Sequence, residues 1–494
     1  MMNRRIAVFR LPSSLLAVSM LVATQGVGAE PALPEGMIGW WYYTGITSPA
    51  HFTADPITAC ALSAQNHFRT PLLAMRAMPG TNAPIMECQY ASPGSPKDIQ
   101  WFTPVSLFCK TGYLPRWPGV CVKRSEAPAP ASCSEECPGH ALANPVQLAS
   151  GSKVQTETDL AASTGSLLKV TRTYRSLRMN GNAQSAGFGW SFSFDREFIV
   201  DRVRLTFGLP VVWGSFGDGS AFEFTPRSDG SFVSSFDKGL VLTAVGAGDD
   251  EWLLTNLQGQ VERYKKIKDV FRMVSSHSAT GESATYTYDD DNRLILISDA
   301  NGRSMKISWR DGVVESIEGS DGAVRYEYEQ AAVPGQAEIA GMARLDAVHF
   351  HNRDGALVSS KRYHYEDQLQ RYLLTGITDE NEVRFATYTY NGAGQAVRSE
   401  HVGGVDRYTF AYPSDLARRV TDPLGTERAF ALSYGRDTRG RITSKSQPAG
   451  AGSAAAANAL TYGSSGDLTS STDFNGRKTC FLTDAARGLE TRRI

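Results

Sequence analysis

The chain has 494 residues, 41% of them hydrophobic and 20% charged, with a formal net charge of −1. That length accommodates two or three domains with their own cores. The balanced charge argues against a basic, phosphate-seeking surface, so neither nucleic acid nor an anionic membrane is an expected partner. The 46 Gly, 22 Phe and 19 Tyr suit short strands joined by tight turns.

Residues 1–29 read as a secretory signal. Arg4, Arg5 and Arg10 make a positive start, an apolar stretch runs from Leu11 to about Ala23, and Val27-Gly28-Ala29 offers small or apolar residues before a cut at Glu30. The apolar stretch is too short to span a bilayer, and Pro12, Ser13 and Ser14 interrupt it. No cysteine sits at the cut, so a lipid anchor is not expected there. The mature chain is therefore expected to be exported, to the periplasm, the cell surface or the medium, without a transmembrane helix.

Residues 30–137 form a cysteine-rich head. Six of the seven cysteines fall here: Cys60, Cys88, Cys109, Cys121, Cys133 and Cys137. In an exported chain such a cluster reads as disulfides. Sequence does not choose among the connectivities; sequential pairing (Cys60–Cys88, Cys109–Cys121, Cys133–Cys137) is the simplest. A metal site drawn from Cys133, Cys137, Cys109 and Cys121 is the alternative, disfavoured because an oxidising compartment favours disulfides over thiolate ligands. Cys480 is the odd thiol, expected to be buried in a strand. The run Gly39-Trp40-Trp41-Tyr42-Tyr43 reads as a core strand, with a sugar-stacking platform as the sharper alternative. A short helix is predicted near Ala59–Phe68, and Arg124–Pro130 has a linker's composition.

Residues 138–275 read as a β-meander. Leu167 to Tyr174 alternates apolar and polar residues, as a half-buried strand does. Gly187-Phe188-Gly189-Trp190 leads into an alternating aromatic strand, and Asp218-Gly219 and Asp229-Gly230 mark turns. Residues 276–494 are repetitive, with Tyr-x-Tyr or an equivalent recurring at Tyr286/Tyr288, Ile307/Trp309, Tyr326/Tyr328, Tyr363/Tyr365, Tyr388/Tyr390, Phe410/Tyr412, Leu432/Tyr434 and Leu460/Tyr462. The step is about 20 residues, the mark of a repeat architecture. Alternation puts both rings of each pair on one strand face, and Asn-Gly or Asp-Gly is expected to reverse the chain in two residues. One hairpin cannot bury its own apolar face, but a row of them forming a twisted sheet can. The aromatic ladder is thus expected to be packing rather than a ligand site.

These features resemble the RHS/YD-repeat family. Tyr286-Thr287-Tyr288-Asp289 followed by Asn292-Arg293-Leu294, with Asp299 and Gly302-Arg303, is close to that family's repeat, with Asn292 where Gly is usual. Asn144-Pro145-Val146, Gly151 and Lys153, Glu157 and Asp159, Arg172, Tyr174 and Ser176, and Gly187-x-Gly189-Trp190 are similar to the domain that often opens RHS proteins. The resemblance covers residues 144–494. It implies an all-β, repetitive hairpin sheet that coils as in RHS/YD shells, preceded here by the small disulfide-rich domain. In many bacterial members the shell holds a C-terminal toxin; others act in surface adhesion or carbohydrate binding. The chain stops at Ile494 within a repeat, so a truncated member is expected, non-enzymatic, part of a polymorphic-toxin delivery system with the toxin region missing. The alternative is a cell-surface adhesion or carbohydrate-binding module. Possible partners are accordingly an encapsulated toxin domain or carbohydrate.

No catalytic, cofactor-binding or metal-ligating set is expected. Asp422-Pro423-Leu424-Gly425 resembles the segment near the autocleavage site of complete shells but also fits an ordinary turn, since more repeats follow it. His349-x-His351 would share a strand face, yet no third ligand lies at a suggestive spacing. The Asp289-Asp290-Asp291-Asn292 run lacks the loop pattern of a calcium site, and no nucleophile elbow or phosphate loop is present.

Overall fold

The computed structural model describes the backbone of seven strands between residues 37 and 123, then residues 141–494 except 163–165, 178–184, 207–208, 235–236, 247–249, 269, 330–342, 368–369, 371–372, 435–439, 464–465 and 485–487; over 201–211 it describes backbone only. The expected signal segment, the helix near Ala59–Phe68, and Cys60, Cys133 and Cys137 lie outside the described residues. The side chains of Cys88, Cys109 and Cys121 do too. Their backbone stands opposite Thr103, Met37 and Pro115 respectively. The head's strands form a five-stranded sheet and the hairpin Tyr113–Arg116/Val120–Lys123.

The protein is all-β: among the described residues the elements are strands apart from one 3-10 turn at Val402–Gly404. A single antiparallel sheet of 26 strands runs from Glu197 to Arg493, each strand pairing with the next. Its first part closes on itself. Glu197–Thr206 pairs with Leu209–Ser215 on one side and with Val270–His277 on the other, through Glu197↔Arg272 and Phe198↔Phe271. A ring of this size is just wide enough for side chains to fill. Aromatics fill it, Phe198 lying 4.6 Å from Tyr264 and Trp252 4.8 Å from Phe271.

From Ser283 onward the sheet is a succession of hairpins, and seven of their turns share one design. Asp299 donates its N–H to the Arg303 carbonyl (3.0 Å), and its Oδ1 accepts the N–H groups of Asn301 (2.9 Å) and Arg303 (3.0 Å). Asp289, Asn352, Asp379, Asn391, Asp422 and Asp473 do the same two and four residues on. These are three-residue loops rather than the two-residue turns expected, because the leading carboxylate or carboxamide satisfies two loop N–H groups that a tighter turn would not present. Only the third loop residue needs positive φ: Gly302 there is at 78°, and Asn292 and Glu382 take the same place at 64° and 61°. Asp311-Gly312 does make a two-residue turn, with φ of 50° and 84°.

A separate three-stranded sheet, Val154–Ala161, Lys169–Arg175 and Trp190–Phe192, covers the repeat strands. Its Val170, Tyr174, Trp190 and Phe192 share one core with Leu294, Ile317, Val348, Tyr363 and Tyr388. Before it, Val146 and Leu148 pack against Ala396, Phe410, Val420, Phe430 and Ile442. The segment before the ring therefore forms the floor on which the repeats up to Ile442 lie.

Candidate functional site

The covering sheet has two chemically distinct faces. One carries Lys153, Gln155, Glu157 and Asp159 at every second position, with Arg172 and Tyr174 on the next strand, and meets the repeats. Arg172 is fully buried and forked onto Asp159, Nε–Oδ2 2.5 Å and Nη2–Oδ1 2.9 Å. Its guanidinium lies against the rings of Trp190 (4.8 Å), Tyr363 (5.3 Å) and Tyr326 (5.6 Å). Arg172 Nη2 donates to Tyr363 Oη (3.0 Å), and Tyr326 Oη donates to Asp159 Oδ2 (2.8 Å). Burial alone would lower the Arg172 pKa; Asp159 and the two phenols outweigh it and hold it well above the usual value.

Lys153 is also fully buried. Its ammonium donates to the Val154 carbonyl and to Gln155 Oε1 (2.9 Å), 4.5 Å from the centre of the Tyr388 ring. Burial pushes its pKa well below the ordinary lysine value, with Glu157 pulling the other way. Glu157 in turn takes Lys361 from a repeat strand at 2.9 Å. A second junction, not anticipated from sequence, is Arg418, which donates to the carbonyls of Leu148 (2.9 Å) and Ala149 (2.6 Å). Its only signal was an arginine on a short alternating strand, and the neighbouring Arg419 carried the same signal.

The eight repeat tyrosines divide by position. The first of each pair faces the covering sheet or its neighbour: Tyr326 and Tyr363 as above, Tyr388 toward Gln155 Oε1 (3.4 Å), and Tyr286 toward Ser276 Oγ (3.2 Å). The second generally donates its hydroxyl to a main-chain carbonyl: Tyr288 to Met273 (2.9 Å), Tyr390 to Leu374 (2.6 Å) and Tyr328 to Ser185 (3.4 Å). Tyr365 instead accepts from Trp190 Nε1 at 3.0 Å. Trp309, Tyr412, Tyr434 and Tyr462 continue the pattern onto Leu294, Ala396, Asp415 and Ile442. A phenylalanine would pack equally well but would leave these carbonyls unpaired. Burial raises the pKa of Tyr288, Tyr365 and Tyr390, so they remain hydrogen-bond donors at neutral pH.

Gly151 shows how closely the two layers approach. A Cβ there would lie 2.7 Å from Tyr412 Oη and 2.8 Å from Gln395 Cβ, at a φ of +78°, so only glycine fits.

The other face of the covering sheet is made of hydroxyls. Thr156↔Thr173↔Ser191 stand opposite one another, and so do Thr158↔Thr171, with Ser193 bonded to the Thr171 carbonyl beyond. Thr156, Thr171, Thr173 and Ser193 form one wall of a cleft of 370 Å³, whose other wall is the rim of the closed ring.

The remaining sequence candidates are accounted for by local structure. Asp289 Oδ2 is bonded to Arg293 Nε at 2.8 Å, so the acidic run is a salt-bridged turn. Asp422 Oδ2 pairs with Arg428 at 2.5 Å in a turn of the common design. His349 bonds Ser360 Oγ (2.8 Å) and Glu327 Oε2 (3.2 Å). Among the described residues no group of three or more His, Cys, Asp or Glu could hold a metal. Cys480 is free and half-buried in Lys478–Asp484 rather than buried, because among the described residues no layer covers that strand.

Residues 143–211 match the family model described as a domain of unknown function, DUF6531. No curated protein matches the chain. Among solved structures it is similar to TcdB2-TccC3-TEV (11% identity, TM-score 0.26, covering 84% of this chain and 28% of that one). It is also similar to TcdB2-TccC3 without the hypervariable C-terminal region (14%, 0.28, 83% and 26%). A porin-like protein from Bacteroides uniformis matches at 10% identity and TM-score 0.15, covering 60% of this chain and 91% of that one. The chain spans about a quarter of the length of the TcdB2-TccC3 structures it matches.

Proposed function

We propose that the chain is a non-enzymatic scaffold of the RHS/YD type, the opening part of a toxin-delivery shell. The observation that carries this reading is the buried polar junction. Arg172, Asp159 and Lys153, which in another setting would suggest catalysis, are consumed in fixing one layer of the chain to its own repeats. The motifs of the RHS opening domain are then the residues that hold repeats, and the repeat tyrosines are their partners. We read residues 1–29 as a signal peptide, 30–137 as a disulfide-linked head, 138–275 as the opening domain and 276–494 as the repeats, in a protein exported to the periplasm, surface or medium. Counting thiols in the denatured mature chain tests the head: about one reactive thiol is expected if the six clustered cysteines are paired.

The delivery reading is tested by reading the coding sequence beyond Ile494. In-frame continuation into further Asp-x-x-Gly hairpins and an unrelated terminal domain is the expected result. A stop codon directly after Ile494 would overturn it and leave the second reading, a surface carbohydrate-binding module, which the hydroxyl-walled cleft favours.

A further inference from the structure

We propose that the cleft between the hydroxyl face of the covering sheet and the rim of the closed ring binds a neutral saccharide. Its 370 Å³ falls within the range of about 300–1,000 Å³ of small-molecule sites. The polar composition of the sheet wall is not required by the fold. On that wall Thr156, Thr171, Thr173 and Ser193 hold outward positions in two adjacent rows, where any β-forming residue would satisfy the strand. Thr156 and Thr173 bond each other at 3.2 Å. Across the cleft stand Asn256, Gln258 and Gln260, with Phe216, Phe222 and Leu254 supplying apolar surface.

The class of ligand follows from the charge balance. The charged groups at the site are largely paired internally: Arg196 with Glu262 at 2.8 Å, and Arg175 with Asp218 at 3.0 Å. An anion would have to displace Glu262 or Asp218 to reach a guanidinium. What remains is hydroxyls and carboxamides, each able to donate and accept, with the Asp237 carboxylate (accepting from Gly239 N–H at 2.8 Å) as a further acceptor, a pattern that vicinal sugar hydroxyls complement. The Arg196 guanidinium lies over the Phe216 ring at 5.0 Å, so Phe222 and Leu254 are left to meet the C–H groups of a pyranose ring. Saccharide binding here would deepen the surface-binding reading and leave the delivery reading untouched, so the two fail separately.

The test is calorimetric titration of the full chain with maltotriose, cellotriose and triacetylchitotriose, with trigalacturonate as the acidic comparator. Thr171→Val removes a hydroxyl at constant shape, and Gln258→Ala shortens an exposed side chain, so both variants should keep the parent's melting temperature. Binding of at least one neutral trisaccharide, weakened about tenfold by each substitution, is the expected result. Three results would overturn the proposal: no neutral trisaccharide binding at millimolar concentration, binding that both substitutions leave unchanged, or a preference for trigalacturonate.

Discussion

The repeat strands between Ser283 and Tyr390 and those between Ala456 and Arg493 are built to one sequence rule, but they are buried to very different degrees. In the first group Ala284, Ile297, Ile317, Val348, Tyr363 and Tyr388 are buried. In the second, Ser470 is the only described residue that is buried, and Leu482 and Leu489 are exposed. The turns match, Asp473 bonding its loop as Asp299 does, and Tyr462 makes the same hydroxyl-to-carbonyl bond as Tyr390. The difference is the second layer: among the described residues, the covering sheet and the segment before it pack on the repeats as far as Ile442. Local pattern makes the strands, but burial requires a partner that lies about 200 residues away in sequence, as the separation of Arg172 from Tyr363 shows (191 residues).

The comparison is tested most severely at the junction. Arg172→Met leaves Asp159 buried with half its partners, and should cost about 3–5 kcal/mol, read as a large drop in the urea midpoint. Arg493→Ala, on an exposed pair with Glu490, should leave that midpoint where it is. Equal effects would mean that the covered and uncovered strands are not energetically distinct. A smaller contrast is expected from the rings. Tyr388→Ala should cost about 3–5 kcal/mol, and Tyr462→Ala, on a half-buried site, markedly less. Removing only the hydroxyl, in Tyr390→Phe, should cost about 1 kcal/mol through the orphaned Leu374 carbonyl.

Turn substitutions should have small effects even in the covered group, because the turns' bonds are local. Glu382→Gly should stabilise by about 1 kcal/mol, since Glu382 holds a φ of 61° that glycine adopts freely. Asn292→Gly should gain only a few tenths, because asparagine tolerates that conformation better than glutamate. A loss of stability at Glu382→Gly would show that its side chain does more than occupy the turn.

The smallest expected effect is electrostatic. The hydrogen bonds and charge of Arg384 hold the Glu366 carboxyl down at about 2. A lowered folded-state pKa stabilises above the unfolded carboxyl value of about 4.3, and that stabilisation is lost as pH falls from there through about 2. Arg384→Gln should return the Glu366 titration, followed by NMR, toward about 4.

Much of this was written in local sequence. Tyr-x-Tyr alternation placed both rings of a pair on one face, and the Asp-x-x-Gly spacing marked the hairpins, although the way Asp299 or Asp422 bonds its own loop made those loops one residue longer than Asp-Gly alone suggested. The motif residues Lys153, Asp159, Arg172, Tyr174 and Trp190 were visible as a set, but their targets were not.

The sequence by itself determined the fold class, the position of the repeats and the residues that would be special, because alternation and turn chemistry act over a few residues. The tertiary structure decided the closure of the ring through Phe198 and Phe271, the pairing of Arg418 with a carbonyl 270 residues earlier, and which repeats are buried. It also placed a wall of hydroxyls, unremarkable along the chain, against the rim of the ring. Those contacts join residues whose separation along the chain leaves no local periodicity to read, and their energy is realised only once both layers are in place.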